Sequence, residues 1–532
     1  MSGNQLYAYD LTEDGSTLKG RSLGPLIPKA QTTDCRAMCV PQDGTVWAGV
    51  AATFEGRGQF LHVMSWKPGE QAATDHGPIA ISNPDYATLT DASGKTKQWH
   101  HGVYNLSDGK LLPRYVIMGI CAASDGTVYL TTLYPFTVHA IRIPKVAGLT
   151  TEYRHNSHAD MYFTRLLKTD RMNGSGVTPP LKLVSVHTDQ VPANDTSRKF
   201  AAQHDVRISK TVDDALTLGT GELAVDGVFL VAEHGNYPES DTAQFQFPKR
   251  RMFTELAETF RRAGKVVPVF HDKHLADNWK DAKWIYDKAR ELNIPMMAGS
   301  SLPGTWRYPP VDVKRGEKLK QIVVTSYHRL DSYGFHALEV VQALAERRAG
   351  GETGVRSVQC LSGDAVWEAG KRGVYDRKLL DAAISRLKEK PIPAGKKIED
   401  LAKSPDLLII DYADGLRACV FSLNGAVLEW SAAWQYEKTG EVESAVFWTQ
   451  ELRPFMHFSW MLMDIGKMMQ TGKPTWPVER TLLTTGLLDA LLISKRDGGK
   501  KLPTPWLNIK YQSEWNWHQP PPPPVGRPIT DQ

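Results

Sequence analysis

The chain has 532 residues, of which 41% are hydrophobic and 23% are charged, and this composition excludes a mainly disordered protein. It carries 63 lysines and arginines against 59 aspartates and glutamates, and the net charge of +4 disfavours a protein that binds nucleic acid by neutralising phosphates. The sequence contains no run of about 18 apolar residues, so it predicts no membrane-spanning helix. The N-terminus has no secretory signal, so we expect a cytoplasmic protein of several domains.

Residues 1–143 are predicted to form a β-rich region. Apolar runs separated by Gly, Pro, Asp and Asn predict strands at 6–11, 45–51, 60–66, 115–121, 127–133 and 137–143. Residues 37–47 and 120–129 repeat one pattern, a strand, an Asp-Gly turn and a return strand, and a further apolar strand follows each copy. This unit resembles the blade of a β-propeller, so we expect a partial, propeller-like region; a small sandwich is the alternative.

Residues 144–301 alternate between strand and helix patterns, which predicts a Rossmann-like α/β domain with a parallel sheet. The predicted strands are 146–152, 181–187, 225–234, 266–272 and 295–301. The predicted helices are 157–167, with Ser157 as N-cap, 196–204, 252–265 and 278–294. A sheet of this kind carries its working residues at the carboxyl ends of the strands.

Residues 302–518 are predicted to form an α+β domain with an open, mostly antiparallel sheet. The predicted strands are 318–327 and four consecutive segments, 407–413, 416–423, 426–436 and 443–451. The predicted helices are 334–348, 457–472 and 478–494. Residues 519–532 contain five consecutive prolines, which predicts a disordered, Pro-rich tail.

Four segments carry a resemblance to a known family. They are VDGVFLVAEHGNYP at 225–238, AGKVVPVFHDKHLA at 263–276, GFHALE at 334–339, and Gly472-Lys-Pro with the helix that follows it. In this order and spacing, residues of about 144–500 resemble the glucose–fructose oxidoreductase and inositol dehydrogenase (Gfo/Idh/MocA) family. The resemblance implies an NAD(P)-dependent oxidoreductase that acts on a sugar or polyol substrate as a homo-oligomer.

The resemblance also implies a set of cofactor-binding residues. The family's first βα turn reads Gly-x-Gly-x-x-Gly, which lets a pyrophosphate approach the backbone, whereas the turn from Glu152 to Asp160 contains no glycine. The positions that correspond to NAD(P) contacts are Tyr153, Arg154, Asn156, Ser157, Asp189, Glu233 and His234. Among these, Arg154 offers a phosphate partner, and Asp189 follows the second strand, where a ribose-binding acid is expected.

The proposed catalytic residues are Lys273, His336 and Asp331. Lys273 matches the family lysine that touches the reacting hydroxyl, and a lysine in a desolvated cleft has its charge disfavoured and becomes a usable acid or base. His336 matches the family histidine that faces the substrate. Asp331 lies one residue from the position of the family aspartate.

Two other functions remain open. One is a nucleotide-free, metal-assisted lyase or hydrolase that acts on an oxidised sugar, because ligand-type side chains follow several strands. These are His155, His158, His187, Asp189, Glu233, His234, His271, Asp272 and His274. The other is a non-catalytic carbohydrate-binding or scaffold protein, in which Trp306 near the expected cleft stacks on a sugar, while Trp430 belongs to sheet packing.

Overall fold

The computed structural model describes residues 4–523 except 14, 29, 42–43, 57, 68–69, 71, 82–92, 94–102, 106–110, 114–115, 124–126, 134–135 and 175. The chain divides into two compact units, Met1–Ile143 with Gly176–Pro180, and Pro144–Ser175 with Leu181–Gln532. Every helix in the described part of the chain is too short or too polar to cross a membrane.

The first unit consists of short antiparallel strands. They are β1 (Gln5–Leu11), β2 (Leu18–Pro25), β3 (Thr32–Cys39), β4 (Val46–Phe54), β5 (Gly58–Trp66), β6 (Thr74–Pro78), β7 (Val103–Asn105), β8 (Leu111–Pro113), β9 (Ile117–Ala122), β10 (Val128–Thr132) and β11 (Thr137–Ile141). The sheets have the orders β3-β4-β5-β6, β11-β10-β9, β1-β2 and β7-β8. A small core joins Leu61 and Val63 to Ile117, Val128 and Leu130.

The predicted sequence repeat corresponds to a structural repeat in this unit. In the first copy β3 pairs with β4, and β4 pairs with β5; in the second copy β9 pairs with β10, and β10 pairs with β11. Each copy is therefore a three-stranded antiparallel meander, although the turn residues 42–43 and 124–126 lie outside the described residues. The described strands do not close into a ring, so the propeller stays a prediction.

The second unit begins with a six-stranded parallel sheet in the order β14-β13-β12-β15-β16-β17. Its strands are β12 (Lys145–Thr150), β13 (Lys182–Thr188), β14 (Arg207–Ser209), β15 (Gly227–Val231), β16 (Val269–Asp272) and β17 (Met296–Gly299). Its helices are a π-helical turn (Asp160–Thr164) continuing into α1 (Arg165–Leu167), then α2 (Ser197–His204), α3 (Val212–Thr217), α4 (Lys249–Ala263) and α5 (Trp279–Glu291). The Rossmann-like sheet is confirmed, and its order reverses direction between β12 and β15, where ligands bind in such folds.

Local signals explain where these elements begin and end. The Ser157 hydroxyl accepts a hydrogen bond from the Asp160 amide, as an N-cap does. Asn278 caps α5 in the same way, and α4 ends at Gly264, whose φ of +60° is left-handed. The sequence does not predict β14 and α3, because both are short and lack a clear apolar period.

The second unit also contains an eight-stranded mixed sheet in the order β18-β24-β23-β19-β22-β21-β20-β25. Its strands are β18 (Trp306–Tyr308), β19 (Leu319–Ser326), β20 (Val355–Ser362), β21 (Asp406–Tyr412), β22 (Arg417–Ser422), β23 (Trp430–Tyr436), β24 (Val442–Trp448) and β25 (Leu502–Pro503). Its helices are α6 (Phe335–Ala345), α7 (Asp364–Lys371), α8 (Arg377–Ile384), α9 (Ile398–Leu401), α10 (His457–Thr471) and α11 (Glu479–Arg496). A π-helical turn (Leu330–Gly334) precedes α6, and 3-10 turns occur at Leu302–Gly304 and Pro505–Leu507.

The sheet is mostly antiparallel, as predicted, but it is mixed. β19 lies between the antiparallel β21–β22 and β23–β24 hairpins and pairs in parallel with β22. The apolar residues of 426–434 would suit the subunit interface of a homo-oligomer, but apart from the half-buried Leu428 they are buried inside the chain. Gln321 bonds to Val374 and Asp376 beside α8, whereas Ser326 bonds to Tyr333 beside α6. Both faces are thus covered by the chain itself, and the oligomer stays a prediction.

Candidate functional site

A cleft with a cavity of about 480 Å³ lies at the carboxyl edge of the parallel sheet. Loops that follow β12, β15, β16 and β17 form one wall, and they contribute Arg154, Glu233, Lys273 and Ser301. The opposite wall comes from the π-helical turn before α6, from Trp430 at the start of β23, and from residues 449–458. The cleft therefore lies at the edge where this fold places its working residues.

Lys273 is the central polar group of the cleft. Its Nζ donates to Glu233 Oε2 at 2.8 Å and lies 3.2 Å from His158 Nε2. The other nitrogen of that ring, Nδ1, lies 2.6 Å from Asp272 Oδ2, and Tyr162 donates to Oδ1 of the same carboxylate at 3.0 Å. Asp272 and Glu233 therefore hold Lys273 from two sides, one of them through an imidazole ring.

The hydrogen bonds continue on the far side of Glu233. Lys249, from α4, donates to Glu233 Oε1, to His274 Nδ1 at 2.8 Å and to the His274 carbonyl at 2.8 Å. His274 Nε2 lies 3.5 Å from Asp331 Oδ1, and Asp331 Oδ2 accepts from the Phe245 amide. We call the connected residues the charge chain; its members in order are Asp272, His158, Lys273, Glu233, Lys249, His274 and Asp331.

The geometry of the charge chain defines its protonation states. Lys249 has three acceptors, which match the three N–H bonds of an ammonium group, so His274 Nδ1 must accept and Nε2 must carry the proton. Burial raises the pKa of Glu233, but the positive charges of Lys249 and Lys273 outweigh burial and hold this pKa well below its ordinary value. Burial lowers the pKa of Lys249, against the attraction of Glu233.

The expectation that the charge of Lys273 is disfavoured is wrong. Burial does lower its pKa, but the carboxylates of Glu233 and Asp272 outweigh burial, and the net effect raises the pKa of Lys273. Lys273 also adopts a left-handed backbone with φ of +56°, held by a hydrogen bond from its amide to the Gly299 carbonyl. A charged lysine at this position can stabilise negative charge that develops in the cleft.

His336 faces the same cleft but is uncharged. Its Nδ1 lies 2.6 Å from Ser300 Oγ, which fixes the ring and leaves Nε2 as the atom available to a bound molecule. Burial and the nearby charges of Lys273 and His158 hold the pKa of His336 well below its ordinary value. The cleft thus combines a cationic lysine with a neutral histidine, and the second can accept a proton.

The aromatic residue of the cleft is not the one that the sequence predicted. Trp306 is fully buried in the edge strand β18, between Trp448 and Trp460, and does not line the cavity. Trp430 lines it instead and stacks on Tyr333 with ring centroids 5.2 Å apart and planes at 16°. Phe245 and Phe247 add apolar surface to the same cavity. Trp430 had been assigned to packing because its position in a strand pattern does not reveal that the strand begins at the cleft.

The residues of the first βα turn do not fit a dinucleotide. Tyr153 is buried and bonded to Thr164, and Ser157 is buried as the N-cap of the helix. The buried carboxylate of Asp160 accepts from the Asn156 amide and pairs with Arg453, so a negative charge already occupies the end of the turn that would receive a pyrophosphate. Arg154 and Asn156 line the cleft.

The groove above β12 is filled as well. Gln190 accepts from the Asn236 amide at 2.8 Å and donates to the Asn236 carbonyl at 3.0 Å. Tyr237 donates to Asp189, which also pairs with Arg251. These contacts join the loop after β13 to the loop after β15 across the end of β12, where the two halves of a dinucleotide would meet. We call this closed groove the bridged groove; Asp189 belongs to it and not to the cleft.

The described residues do not fit a metal site either. No group of three or more His, Cys, Asp or Glu side chains in the described part of the chain is arranged to hold a metal ion. The candidate ligands separate: His155 is exposed, His187 bonds to the Ser209 carbonyl, and His271 is fully buried. Glu233 and Asp272 are engaged by lysine, histidine and tyrosine rather than left as free ligands.

Sequence reasoning missed Lys249 and the pairing of His158 with Lys273. Lys249 lies in a basic run at the start of α4, which in sequence is indistinguishable from a solvated helix end. His158 and Asp272 were noticed only as candidate metal ligands. Their separation of more than a hundred residues carries no signal of contact until the sheet brings them together.

No family model and no curated protein matches the chain. Among solved structures, it is similar to GenD2 from gentamicin A biosynthesis in complex with NAD (13% identity, 70% of this chain and 99% of that chain, TM-score 0.45). It is also similar to apo scyllo-inositol dehydrogenase from Lactobacillus casei (12%, 68% and 98%, 0.42). A third is a putative myo-inositol dehydrogenase from Sinorhizobium meliloti 1021 (13%, 68% and 99%, 0.42). At these values, activity and ligand must be argued from the cleft itself.

Proposed function

We propose that this protein is an enzyme that moves a proton on a hydroxyl-rich, carbohydrate-type substrate bound in the cleft. The observation that carries the proposal is the pairing of a cationic Lys273 with a neutral His336 in one cavity. Proton abstraction next to a carbonyl needs a neutral base and a fixed positive charge near the oxygen that becomes negative. The cleft supplies both without a bound cofactor.

The roles follow from the contacts of each group. His336 Nε2 takes the proton from substrate carbon, because Ser300 already engages Nδ1. The bonding electrons move onto the substrate oxygen, and Lys273 stabilises the resulting charge with the N–H that Glu233 and His158 leave to it. Return of the proton from His336 to a different carbon or face gives an isomer. Expulsion of a neighbouring hydroxyl, which takes that proton and leaves as water while the electrons return from the oxygen, gives an eliminated product.

The remaining lining residues suit a sugar-like substrate. Trp430 and Tyr333 offer aromatic surface of the kind that stacks on the apolar face of a sugar ring. Arg154 gives the cleft a second cation, which suits the carboxylate of an oxidised sugar. Glu233 and His158 of the charge chain hold Lys273 Nζ in place while it contacts the substrate oxygen.

The test is hydrogen exchange with solvent. The protein is incubated in D2O with a panel of ketoses, aldonates, uronates and keto-sugars, and carbon-bound deuterium is followed by NMR. We expect wild-type protein to exchange or convert at least one of them, His336→Asn to abolish exchange, and Lys273→Met to slow it strongly. Binding of a sugar without exchange or conversion would favour the carbohydrate-binding protein and reject the enzyme.

NAD(P)-dependent oxidation of the same substrate class is the second candidate. The strand order of the parallel sheet, together with Lys273 and His336 at its carboxyl edge, favours it. The bridged groove opposes it. A titration with NADH and NADPH, followed by cofactor fluorescence, distinguishes the two candidates: saturable binding supports oxidation, and no binding leaves proton transfer as the function.

A further inference from the structure

The C-terminal segment runs along the second unit as a bonded strap, which we define as residues 515–523. Trp515 donates to Asp464 on α10, and Trp517 donates to the Thr305 carbonyl at 2.7 Å. Gln519 accepts from the Arg307 amide, and the Pro521 carbonyl accepts from the Trp306 indole at 2.8 Å. The Pro-rich tail is therefore not disordered where it is described, up to Pro523, whereas 524–532 lie outside the described residues.

The receiving surface is aromatic. Trp306 is packed edge-on by Trp448 and Trp460, with ring centroids 5.4 and 5.7 Å away, and Arg307 lies 4.4 Å over the ring of Trp517. Among the described residues, the indole nitrogens of Trp448 and Trp460 have no hydrogen-bond acceptor. A buried indole N–H without an acceptor is costly, so this surface carries unused donor capacity.

Consecutive prolines suit such a surface for a physical reason. Proline fixes its own φ and lacks an N–H, so a proline run adopts the polyproline II helix, whose carbonyls stay available as acceptors. Recognition of these helices uses aromatic grooves and gains from the small loss of chain entropy. The Trp306–Pro521 contact has this form, an indole N–H bonded to a proline carbonyl on a tryptophan-lined surface.

We propose that Trp306, Trp448 and Trp460 form a polyproline-docking groove whose occupant is the described part of the proline run of this chain, Pro520–Pro523. The segment that receives the strap is also part of the cleft wall. Ser301 and Leu302 line the cleft just before Thr305, and Thr305 bonds to the Trp448 carbonyl, next to the cleft residue Thr449. The docked strap therefore holds this wall of the cleft in one position.

The direct test is binding in trans. A protein shortened to residues 1–518 is first checked for an unchanged fold by circular dichroism, and a fluorescent peptide of residues 519–532 is then titrated onto it. The control peptide has Pro520–Pro524 replaced by alanine. We expect saturable binding of the native peptide to the shortened protein, no binding to the full chain because its groove is occupied, and no binding of the control peptide.

The Trp306→Phe variant of the shortened protein isolates the indole N–H, because phenylalanine keeps an aromatic ring in the packing. We expect it to bind the peptide about fivefold more weakly, the factor that corresponds to one neutral hydrogen bond. A matched change at an exposed tryptophan, Trp506→Phe, leaves binding unchanged. No binding to the shortened protein, or equal binding of both peptides, overturns the proposal.

A second measurement needs neither peptide nor activity. In hydrogen-exchange mass spectrometry of the two proteins, we expect residues 449–458 to exchange at least several-fold faster in the shortened protein, while α4 and α5 stay unchanged. Equal exchange of 449–458 rejects the link to the cleft. The full chain and the shortened protein must also have the same oligomeric state by light scattering, since an assembly that depends on the tail would contradict docking within one chain.

Discussion

The two halves of the carboxyl edge of the parallel sheet differ: one half is closed by hydrogen bonds within the chain, and the other is open as a cleft. Above β12 and β13, the bridged groove is closed by neutral and paired groups of the chain itself, with Gln190 on Asn236 and Tyr237 on Asp189. Above β15 and β16, the edge stays open as the cleft and carries the charge chain. The strand order alone would allow a ligand along the whole edge, but the side chains leave only one half of it open.

The two halves also differ in how their buried carboxylates are paired. In the bridged groove, Arg251 donates to one carboxylate oxygen of Asp189 and Tyr237 donates to the other, so both oxygens are engaged within the chain. In the cleft, Glu233 is shared by two lysines, and one of them, Lys273, is also a cleft-lining residue. Lys273 is thus paired with a carboxylate and also faces the cleft. A fixed, already desolvated charge of this kind stabilises charge that develops during proton transfer.

The largest expected effect concerns the two groups that face the cleft. Lys273→Met and His336→Asn should each lower kcat/KM by about 10²–10⁴-fold, the usual contribution of a positioned acid or base. The exposed Lys265→Met is the matched control and should leave kcat/KM unchanged. Steady-state kinetics on the substrate found by deuterium exchange gives the measurement, and full activity in Lys273→Met would reject its role.

The next effect is on stability. Glu233→Gln leaves Lys249 and Lys273 buried without their shared carboxylate, so we expect a loss of about 3–5 kcal/mol in the free energy of unfolding. The half-exposed Glu255→Gln, which removes a surface pair with Arg251, should cost at most about 1 kcal/mol. Urea titration measures both free energies of unfolding. Equal losses in the two variants would contradict the conclusion that Glu233 stabilises two buried lysines.

Glu233 also gives the stability a pH dependence. Its pKa in the folded chain is held well below the value of about 4.3 in the unfolded chain. Its contribution is therefore complete above about pH 4.3 and is lost as the pH falls through the folded pKa. In urea titrations at decreasing pH, the wild type should lose more stability below that value than Glu233→Gln does; parallel curves would contradict the assignment.

A smaller effect is expected in the bridged groove. Gln190→Ala combined with Tyr237→Phe removes the hydrogen bonds of Gln190 with Asn236 and of Tyr237 with Asp189, and it should lower the free energy of unfolding by about 2 kcal/mol. Because these residues do not line the cleft, we expect kcat to stay within about twofold of wild type. A collapse of kcat in a folded double variant would mean that the groove takes part in the reaction, and the two halves would no longer differ in role.

The smallest effect concerns the aromatic wall. Trp430→Phe keeps an aromatic ring against Tyr333 but reduces the stacking surface, so KM should rise about 2–10-fold with little change in kcat. The exposed Trp506→Phe serves as control and should leave KM for the substrate unchanged. A fall in kcat with unchanged KM in Trp430→Phe would assign this side chain to the chemistry instead of binding.

The sequence by itself was sufficient where a local pattern has a local cause. Strand and helix periods and the Ser157 cap located most elements, since each depends on neighbours within a few residues. The same patterns, with the family resemblance, brought Lys273 and His336 forward as candidates. They could not give the place of β19 between two hairpins, because register and strand order are set by contacts across a hundred residues.

Only the tertiary structure decided what surrounds each candidate. The pKa of Lys273 rises because the carboxylate of Glu233, which follows another strand, adds to that of the neighbouring Asp272, and Lys249 reaches Glu233 from a helix. Trp430 reaches the cleft and Trp306 does not, although both follow similar strand patterns. The physical reason is common to these cases: electrostatic and packing energies depend on distance in space, and the sequence records only distance along the chain.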